Sequence, residues 1–164
     1  MNRIGIIGGT GLVSIDLKRD HEQRLAQHGL VVTRTDEVNA ETKFGDVPIK
    51  CITLQKDGID KELIFLQRHH NDGSANKPPH MINHKANIKA LENSGCDVIV
   101  SVCSIGTLVE DFPPGKVGLA GQYIDFTGVA TSFNDTFAIF TSVTEPFSDK
   151  LNKQLEASLR ESQG

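Results

Sequence analysis

The chain has 164 residues, of which 38% are hydrophobic and 23% charged, with no tryptophan and a formal net charge of −4. This length is typical of one domain with a substantial, here aliphatic, core. The acidic balance argues against a nucleic acid or an anionic membrane as partner, so any phosphate site has to be a local basic pocket. No apolar run is long enough to span a bilayer, and no signal-peptide core follows Met1.

The three cysteines are widely spaced, and no pair has the separation of a metal site. Their odd number argues against a disulfide framework. The sequence therefore predicts reduced thiols, no metal and a cytoplasmic location. These cysteines are Cys51, Cys96 and Cys103.

The first predicted element is a short buried strand from Ile4 that runs into a glycine-rich turn. Gly8, Gly9 and Gly11 surround Thr10. Glycines let a backbone approach a ligand closely, free N–H groups form an anion nest, and the threonine hydroxyl can donate to a phosphate oxygen. The spacing matches neither the dinucleotide fingerprint nor the P-loop. A phosphate- or nucleotide-binding turn is predicted, with a ligand-free tight turn as the alternative.

The next segment alternates between polar stretches and short apolar runs. Ser14 to Gly29 predicts a surface helix or an ordered loop. Leu30 to Thr33 and Ile49 to Leu54 read as strands. Lys56 to Asp60 then supplies a hairpin turn into Glu62 to Leu66, whose apolar run predicts a buried central strand.

Cationic and imidazole groups follow that central strand at once. Arg68 offers a planar fork of donors that suits phosphate. His69 and His70 can donate, or act as acid or base near neutral pH. Because α/β folds place binding residues at the carboxyl ends of strands, we favour a binding role over an exposed polar loop.

A helix is predicted next, after two prolines, and Gly95 ends it. His80 lies just before the helix and is interpreted as either structural or adjacent to substrate. His84 falls on the apolar stripe and is interpreted as a packed or interface residue. Cys96 to Val102 reads as a second buried parallel strand, which completes a βαβ crossover. The stripe comprises Met81, His84, Ile88 and Leu91.

The remaining chain is predicted to hold two further strands and one helix. Val117 to Ile124 reads as a strand with Asp125 at its tip, and Phe137 to Phe140 as a short strand. Ser148 is a candidate N-cap of the last helix. That helix carries one narrow apolar stripe, formed by Leu151, Leu155 and Leu159.

Three predicted strand ends carry the same kind of chemistry, namely the glycine turn, Arg68 with His69, and Cys103 with Ser104. The carboxyl ends of parallel strands meet at one edge of a sheet. Backbone N–H groups, hydroxyls and one guanidinium gathered there suit orthophosphate or a phosphate ester.

The order and spacing of several motifs from Ile4 to about Phe147 resemble the trimeric purine nucleoside phosphorylases, most closely their 5'-methylthioadenosine and methylthioinosine phosphorylase branch. The resemblance implies an α/β three-layer fold with a central mixed sheet, here incomplete. Residues 1–164 would form the truncated N-terminal portion of a single domain. The motifs are Ile4–Leu12, Arg68-His69, Pro78-Pro79-His80, Ile82-Asn83, Ala86-Asn87-Ile88, Gly95-Cys96, Val98–Val100, Gly106-Thr107-Leu108 and Ile124-Asp125.

The resemblance also implies phosphorolysis, in which phosphate attacks the anomeric carbon of a purine nucleoside and displaces the base. Orthophosphate would be the co-substrate and no cofactor is expected. A cytoplasmic homotrimer in purine and methionine salvage is implied, with a loop near Phe133 reaching a neighbouring site. By this analogy His80 and Asp125 lie close to substrate, and the phosphate is held by Thr10, Arg68, His69, Cys103 and Ser104.

The chain departs from the family pattern in several places. His70 stands where the family has glycine, His84 where it has tyrosine, and Cys103 where it has threonine, serine or asparagine. The family's motifs for the ribose and the purine base have no counterpart in this sequence. We therefore keep as an alternative a catalytically inactive relative that binds phosphate or a nucleoside, or acts as an interaction module. A dinucleotide-binding oxidoreductase is disfavoured by the glycine spacing.

Overall fold

Five strands of the described residues form one mixed sheet in the order β2-β3-β4-β1-β5. The computed structural model describes residues 2–70, 76–129 and 132–163. A short 3₁₀ helix spans Pro79–Met81. The strands are β1 (Arg3–Gly8), β2 (Val31–Ala40), β3 (Val47–Lys56), β4 (Ile59–Gln67) and β5 (Val98–Ser101), and the α-helices are α1 (Leu17–Gln27), α2 (His84–Asn93) and α3 (Asp149–Gln163).

Strand β1 lies between β4 and β5 and is parallel to both, with Ile6 opposite Phe65 on one side and Val100 on the other. Strands β2, β3 and β4 form an antiparallel meander. The chain passes from β4 through α2 to β5, so the predicted βαβ crossover is confirmed. Both crossover strands therefore end at the same sheet edge as β1.

The β3–β4 hairpin turns at Asp57 and Gly58, which both have positive φ, at 51° and 75°. Positive φ at both central residues is the geometry of a type I′ turn, which fits the twist of the flanking strands. The predicted hairpin is thus confirmed, and the turn fixes the register of the two strands.

The core lies between α2 and one face of the sheet. Ala86, Ala90 and Leu91 of the helix are buried together with β-strand residues that include Ile64 and Leu66. Gly5 permits this approach, because a Cβ there would lie 3.3 Å from Leu91 and within 3.2 Å of a cysteine sulfur. Small residues on the helix and on β1 bring the two layers into contact.

The predicted apolar stripe of this helix is right at Leu91, which is fully buried, and wrong at its other three positions. His84 is exposed, Met81 precedes the helix and is 61% exposed, and Ile88 is 36% exposed. The buried face instead contains alanines, whose small side chains allow the helix to sit close to the sheet. Within this chain His84 is therefore not a packed core residue.

Four strand predictions also need correction. Strand β2 extends through polar residues to Ala40, since it pairs with β3 over this length apart from an irregularity between Val32 and Arg34. Strand β5 is parallel as expected, but it lies at the edge of the described sheet and is only half-buried or exposed. Val117 to Ile124 and Phe137 to Phe140 do not form strands. A strand needs a hydrogen-bonding neighbour, which the apolar pattern alone does not supply.

The chain divides into two compact units, Met1–Ile105 and Gly106–Gly164. The sheet belongs to the first unit. The second contains α3, for which Ser148 is the predicted cap: its Oγ accepts from the N–H of Leu151 at 3.2 Å. A single domain over residues 1–164 remains a prediction.

The described residues contain no cluster of three or more His, Cys, Asp or Glu side chains placed to hold a metal ion. No helix among them combines the length and apolar composition that a membrane crossing requires.

Candidate functional site

The glycine turn at the end of β1 is tight. The N–H of Leu12 donates to the carbonyl of Gly9 at 3.0 Å. A Cβ at Gly8 would lie 2.2 Å from the Leu12 carbonyl oxygen and 2.9 Å from the ring of Phe65. No side chain fits there, so glycine is required for the chain to turn. Thr10 is exposed in this turn.

Arg68 lies directly against the turn. Its backbone N–H donates to the Gly8 carbonyl at 3.0 Å, which continues the β1–β4 ladder by one residue. A Cβ at Gly9 would lie 2.6 Å from Nη2 of the guanidinium. Nη1 donates to Cys103 Sγ at 3.0 Å and to the Val102 carbonyl at 3.4 Å. The glycine turn thus leaves room for the cation, and the residues after β5 hold it.

Ser104 reaches the other side of the same turn, since a Cβ at Gly11 would lie 2.5 Å from its Oγ. The N–H of Val102 donates to the Ile7 carbonyl at 2.9 Å and so carries the β1–β5 pairing past the end of the strand. The structure therefore brings Arg68, Cys103 and Ser104 to the turn that contains Thr10.

His69 is 4% exposed and held by its neighbours. Its backbone N–H donates to Oε1 of Gln67. Its Nδ1 lies 2.9 Å from the carbonyl oxygen of Lys77, which can only accept, so Nδ1 carries the hydrogen. Among the described residues, the buried Nε2 has no hydrogen-bond partner. An unpaired buried nitrogen is costly and suits a site that a ligand completes.

His70 binds helix α2. Its Nε2 lies 2.9 Å from Oδ1 of Asn87, whose Nδ2 donates to the Arg68 carbonyl at 3.4 Å. Asn87 is 2% exposed. Sequence reasoning missed this residue as a functional candidate, although an amide beside the alanines of the buried helix face was a usable signal.

The two residues expected near substrate are His80 and Asp125. His80 is exposed in the 3₁₀ helix. Asp125 belongs to the second unit, where its carboxylate accepts from the N–H of Thr127 at 2.8 Å. Hydrogen bonds from Thr127 lower the pKa of Asp125 below its usual value. Their roles remain predictions.

The thiols differ in environment. Burial raises the pKa values of Cys51 and Cys96, which pack at the margin of the core. Both are therefore poor nucleophiles near neutral pH. Cys103 is exposed beside Arg68.

A groove of about 430 Å³ opens near the turn. Phe65, Gln67 and His70 line it from β4 and the residues that follow, and Val13 and Ser14 line it from the segment after the glycines. Phe65 alternates along β4 with Ile64 and Leu66, which pack towards α2, so the groove lies on the opposite face of the sheet.

Comparison with known proteins decides the family. Residues 3–163 match the model of the phosphorylase superfamily. The chain belongs to this superfamily. It is 34% identical over 158 residues to S-methyl-5'-thioadenosine phosphorylase of Rhodospirillum rubrum, and 31% identical over 161 residues to a probable S-methyl-5'-thioinosine phosphorylase of Thermodesulfovibrio yellowstonii. The resemblance drawn from the sequence motifs is confirmed.

These two alignments cover 95% and 96% of the chain but 48% and 53% of the relatives. This phosphorylase-superfamily chain thus spans about half the length of the curated relatives it matches. A solved variant of adenosine/methylthioadenosine phosphorylase from Schistosoma mansoni superimposes with a TM-score of 0.69 and 22% identity, over 99% of this chain and 52% of that one. The predicted fold, an incomplete α/β nucleoside-phosphorylase fold with a mixed sheet, is confirmed.

Proposed function

We propose that this chain carries the phosphate-binding part of a purine nucleoside phosphorylase. In the proposed reaction an oxygen of orthophosphate bonds to the anomeric carbon of 5'-methylthioadenosine or a related nucleoside. The glycosidic C–N bond breaks and its electron pair leaves with the base, which takes up through solvent the proton that hydrogen phosphate loses. The products are free purine and a (methylthio)ribose 1-phosphate. Family membership and the 34% identity to a methylthioadenosine phosphorylase support this reaction.

The observation that carries the proposal is the position of Arg68. Its guanidinium lies on the backbone of Gly9 and contacts Cys103, while the Ser104 hydroxyl lies at Gly11. A fork of cationic N–H groups next to a glycine turn and a hydroxyl is a suitable receptor for a phosphate. Thr10 is proposed to add a second hydroxyl from the tip of the turn.

His69 is proposed as the buried member of the phosphate site. Because Nδ1 is committed to the Lys77 carbonyl, Nε2 is the nitrogen available to a ligand. A neutral ring accepts there from a P–OH group, and a protonated ring donates to a phosphate oxygen. Either bond would satisfy the atom that is unpaired in the described residues.

The proposed site acts by electrostatics and position. The transition state has oxocarbenium character, so an anion held next to the anomeric carbon stabilises it. Phosphate held in line with the breaking bond needs little further activation. No cofactor enters this proposal, and orthophosphate is the co-substrate.

The test is phosphate-dependent release of free base from methylthioadenosine and from inosine by the purified 164-residue chain. We expect release to require phosphate and to disappear in Arg68→Ala. Arg160→Ala is the matched control, because that exposed arginine pairs only with Glu156 among the contacts described for it. Phosphate affinity is measured in parallel by calorimetry. If the unmodified chain shows no turnover and no phosphate binding, the proposal is refuted.

A second candidate is a relative without catalysis that still binds phosphate or a nucleoside, or serves as an interaction module. Exposed apolar side chains in the second unit favour it: Leu108 is fully exposed, and Phe126 and Phe140 are 92% and 98% exposed. Phosphate binding that needs Arg68, without base release, would select this candidate over the first.

The assembly and location follow by analogy only. We propose a cytoplasmic homotrimer, in which a neighbouring chain approaches the site through residues near Phe133. Light scattering of the purified chain tests the trimer, and a mass equal to one chain would count against it.

A further inference from the structure

We propose that His70 is a positioning residue for the phosphate site: through Asn87 it fixes the peptide that carries Arg68 and His69. This inference rests on the proposed function of that site. It assigns a role to the second histidine of the pair, which has no place among the proposed phosphate ligands.

One buried amide, that of Asn87, joins two residues of the turn that follows β4, Arg68 and His70. Asn87 donates from Nδ2 to the Arg68 carbonyl at 3.4 Å and accepts at Oδ1 from His70 Nε2 at 2.9 Å. The Arg68 carbonyl can only accept, which sets the orientation of the amide. Oδ1 therefore faces His70, and the His70 ring carries its hydrogen on Nε2.

Asn87 is a rigid anchor. It is 2% exposed and flanked by Ala86, a core residue, on a helix whose buried face packs on the sheet. Because Asn87 is only 2% exposed, little solvent reaches Oδ1 to replace a lost donor. Removing the His70 ring therefore leaves a buried acceptor unpaired, and the amide is free to turn away from Arg68.

The other side of the same turn is fixed independently. The Lys77 N–H donates to the His69 carbonyl at 2.8 Å, and His69 Nδ1 binds the Lys77 carbonyl at 2.9 Å. Arg68 thus sits between two anchors, with its N–H on Gly8 and its carbonyl on Asn87. Loss of the Asn87 contact releases one end of the peptide that aims the guanidinium, without removing any proposed ligand.

The experiment compares His70→Gly and His70→Gln by calorimetric titration with inorganic phosphate at pH 8. We expect His70→Gly to bind phosphate roughly tenfold more weakly, the effect of leaving one buried hydrogen-bonding group unpaired. Glutamine carries an amide nitrogen at about the same reach as Nε2, so His70→Gln is expected to restore most of the affinity. His28→Gly is the matched control, because that histidine is exposed at the end of α1.

A second readout is the ¹⁵N spectrum of the imidazole rings, in which the signals missing from His70→Gln identify His70. Hydrogen on Nε2 is expected, and hydrogen on Nδ1 alone would overturn the inference even if His70→Gly fails to fold. If a folded His70→Gly binds phosphate as tightly as the unmodified chain does, the inference is overturned and the proposed function stands. Absence of phosphate binding by the unmodified chain would overturn the proposed function and this inference together.

Discussion

The two units of the chain use apolar residues differently. In Met1–Ile105, the ten buried apolar side chains that the structure describes lie between Ile7 and Leu91, on the sheet and α2. In Gly106–Gly164, the described apolar side chains are half-buried or exposed, and α3 is the only α-helix or strand described. An apolar segment becomes a core only where pairing strands or a packed helix give it neighbours.

The largest expected effect comes from truncating one leucine in each unit and comparing the loss of stability. Leu66 is fully buried, and Leu108 fully exposed. We expect Leu66→Ala to lower the free energy of unfolding by about 2–5 kcal/mol, through lost burial and a residual cavity. Leu108→Ala should leave it unchanged. Urea unfolding followed by circular dichroism measures both, and similar losses would show that the second unit also packs around its leucine.

A pair of glycines sharpens the comparison at the level of the site. The three atoms nearest to a Cβ at Gly9 all belong to the flexible end of Arg68, so we expect Gly9→Ala to displace the guanidinium at little cost in stability. Phosphate affinity should fall roughly tenfold, as for loss of one charge-assisted hydrogen bond. Gly106→Ala, with nothing within 4 Å of the added carbon, is the control. Calorimetry decides, and unchanged affinity in Gly9→Ala would place phosphate away from this turn.

The cap of α3 tests whether the second unit is independent of the core. Ser148→Ala removes the acceptor of the Leu151 N–H and should destabilise the helix by about 1 kcal/mol. We expect amide exchange in α3 to speed up several-fold, while the urea midpoint of the sheet stays the same. A shift of that midpoint would mean that the two units unfold together.

The smallest effect is a pH dependence within the first unit. The carboxylate of Asp97 accepts from the N–H groups of Asn2 and Arg3, at 2.7 and 3.1 Å, and these bonds lower its pKa below the ordinary value of 3.8. A carboxyl whose pKa is lower in the folded state stabilises the fold above its unfolded pKa. That contribution disappears as the pH falls through the folded pKa.

Asp97→Asn should therefore be less stable than the unmodified chain at pH 7, and the difference should shrink towards pH 2. Urea midpoints at both pH values measure this. Asp111→Asn, an exposed change in the second unit, is the control. A difference that grows on acidification would contradict the assignment.

Local chemistry predicted the first unit well. The glycine turn after β1, the turn at Asp57-Gly58 and the apolar run of β4 each carry a strong local sequence signal, and each was identified. The meeting of Arg68, Cys103 and Ser104 followed from parallel pairing alone, because strand ends share an edge. Their role in binding phosphate remains a prediction.

The errors arose where neighbours decide the structure. Strand β2 is polar on its exposed side, so its full length is visible only in its pairing with β3. The buried face of α2 depends on alanines, which carry little weight in an apolar pattern. Val117 to Ile124 has the composition of a strand but lacks the partner that would make it one. Asn87 lies 17 positions after His70 and 19 positions after Arg68. Its contacts with them therefore leave no local spacing that a sequence pattern could detect.

The two edges of the sheet bear on how the protein behaves when concentrated. Strand β2 is ten residues long, but its outer edge carries Arg34, Asp36 and Glu37, and such charges oppose pairing with another chain. Strand β5 is apolar, yet offers only four residues to a partner. Charged side chains thus limit pairing at the β2 edge, and the shortness of the strand limits pairing at the β5 edge. Salt screens the charges of β2 but does not change the number of residues that β5 offers. Purification at high ionic strength should therefore favour association through β2, so low salt is the better choice for keeping the chain dispersed.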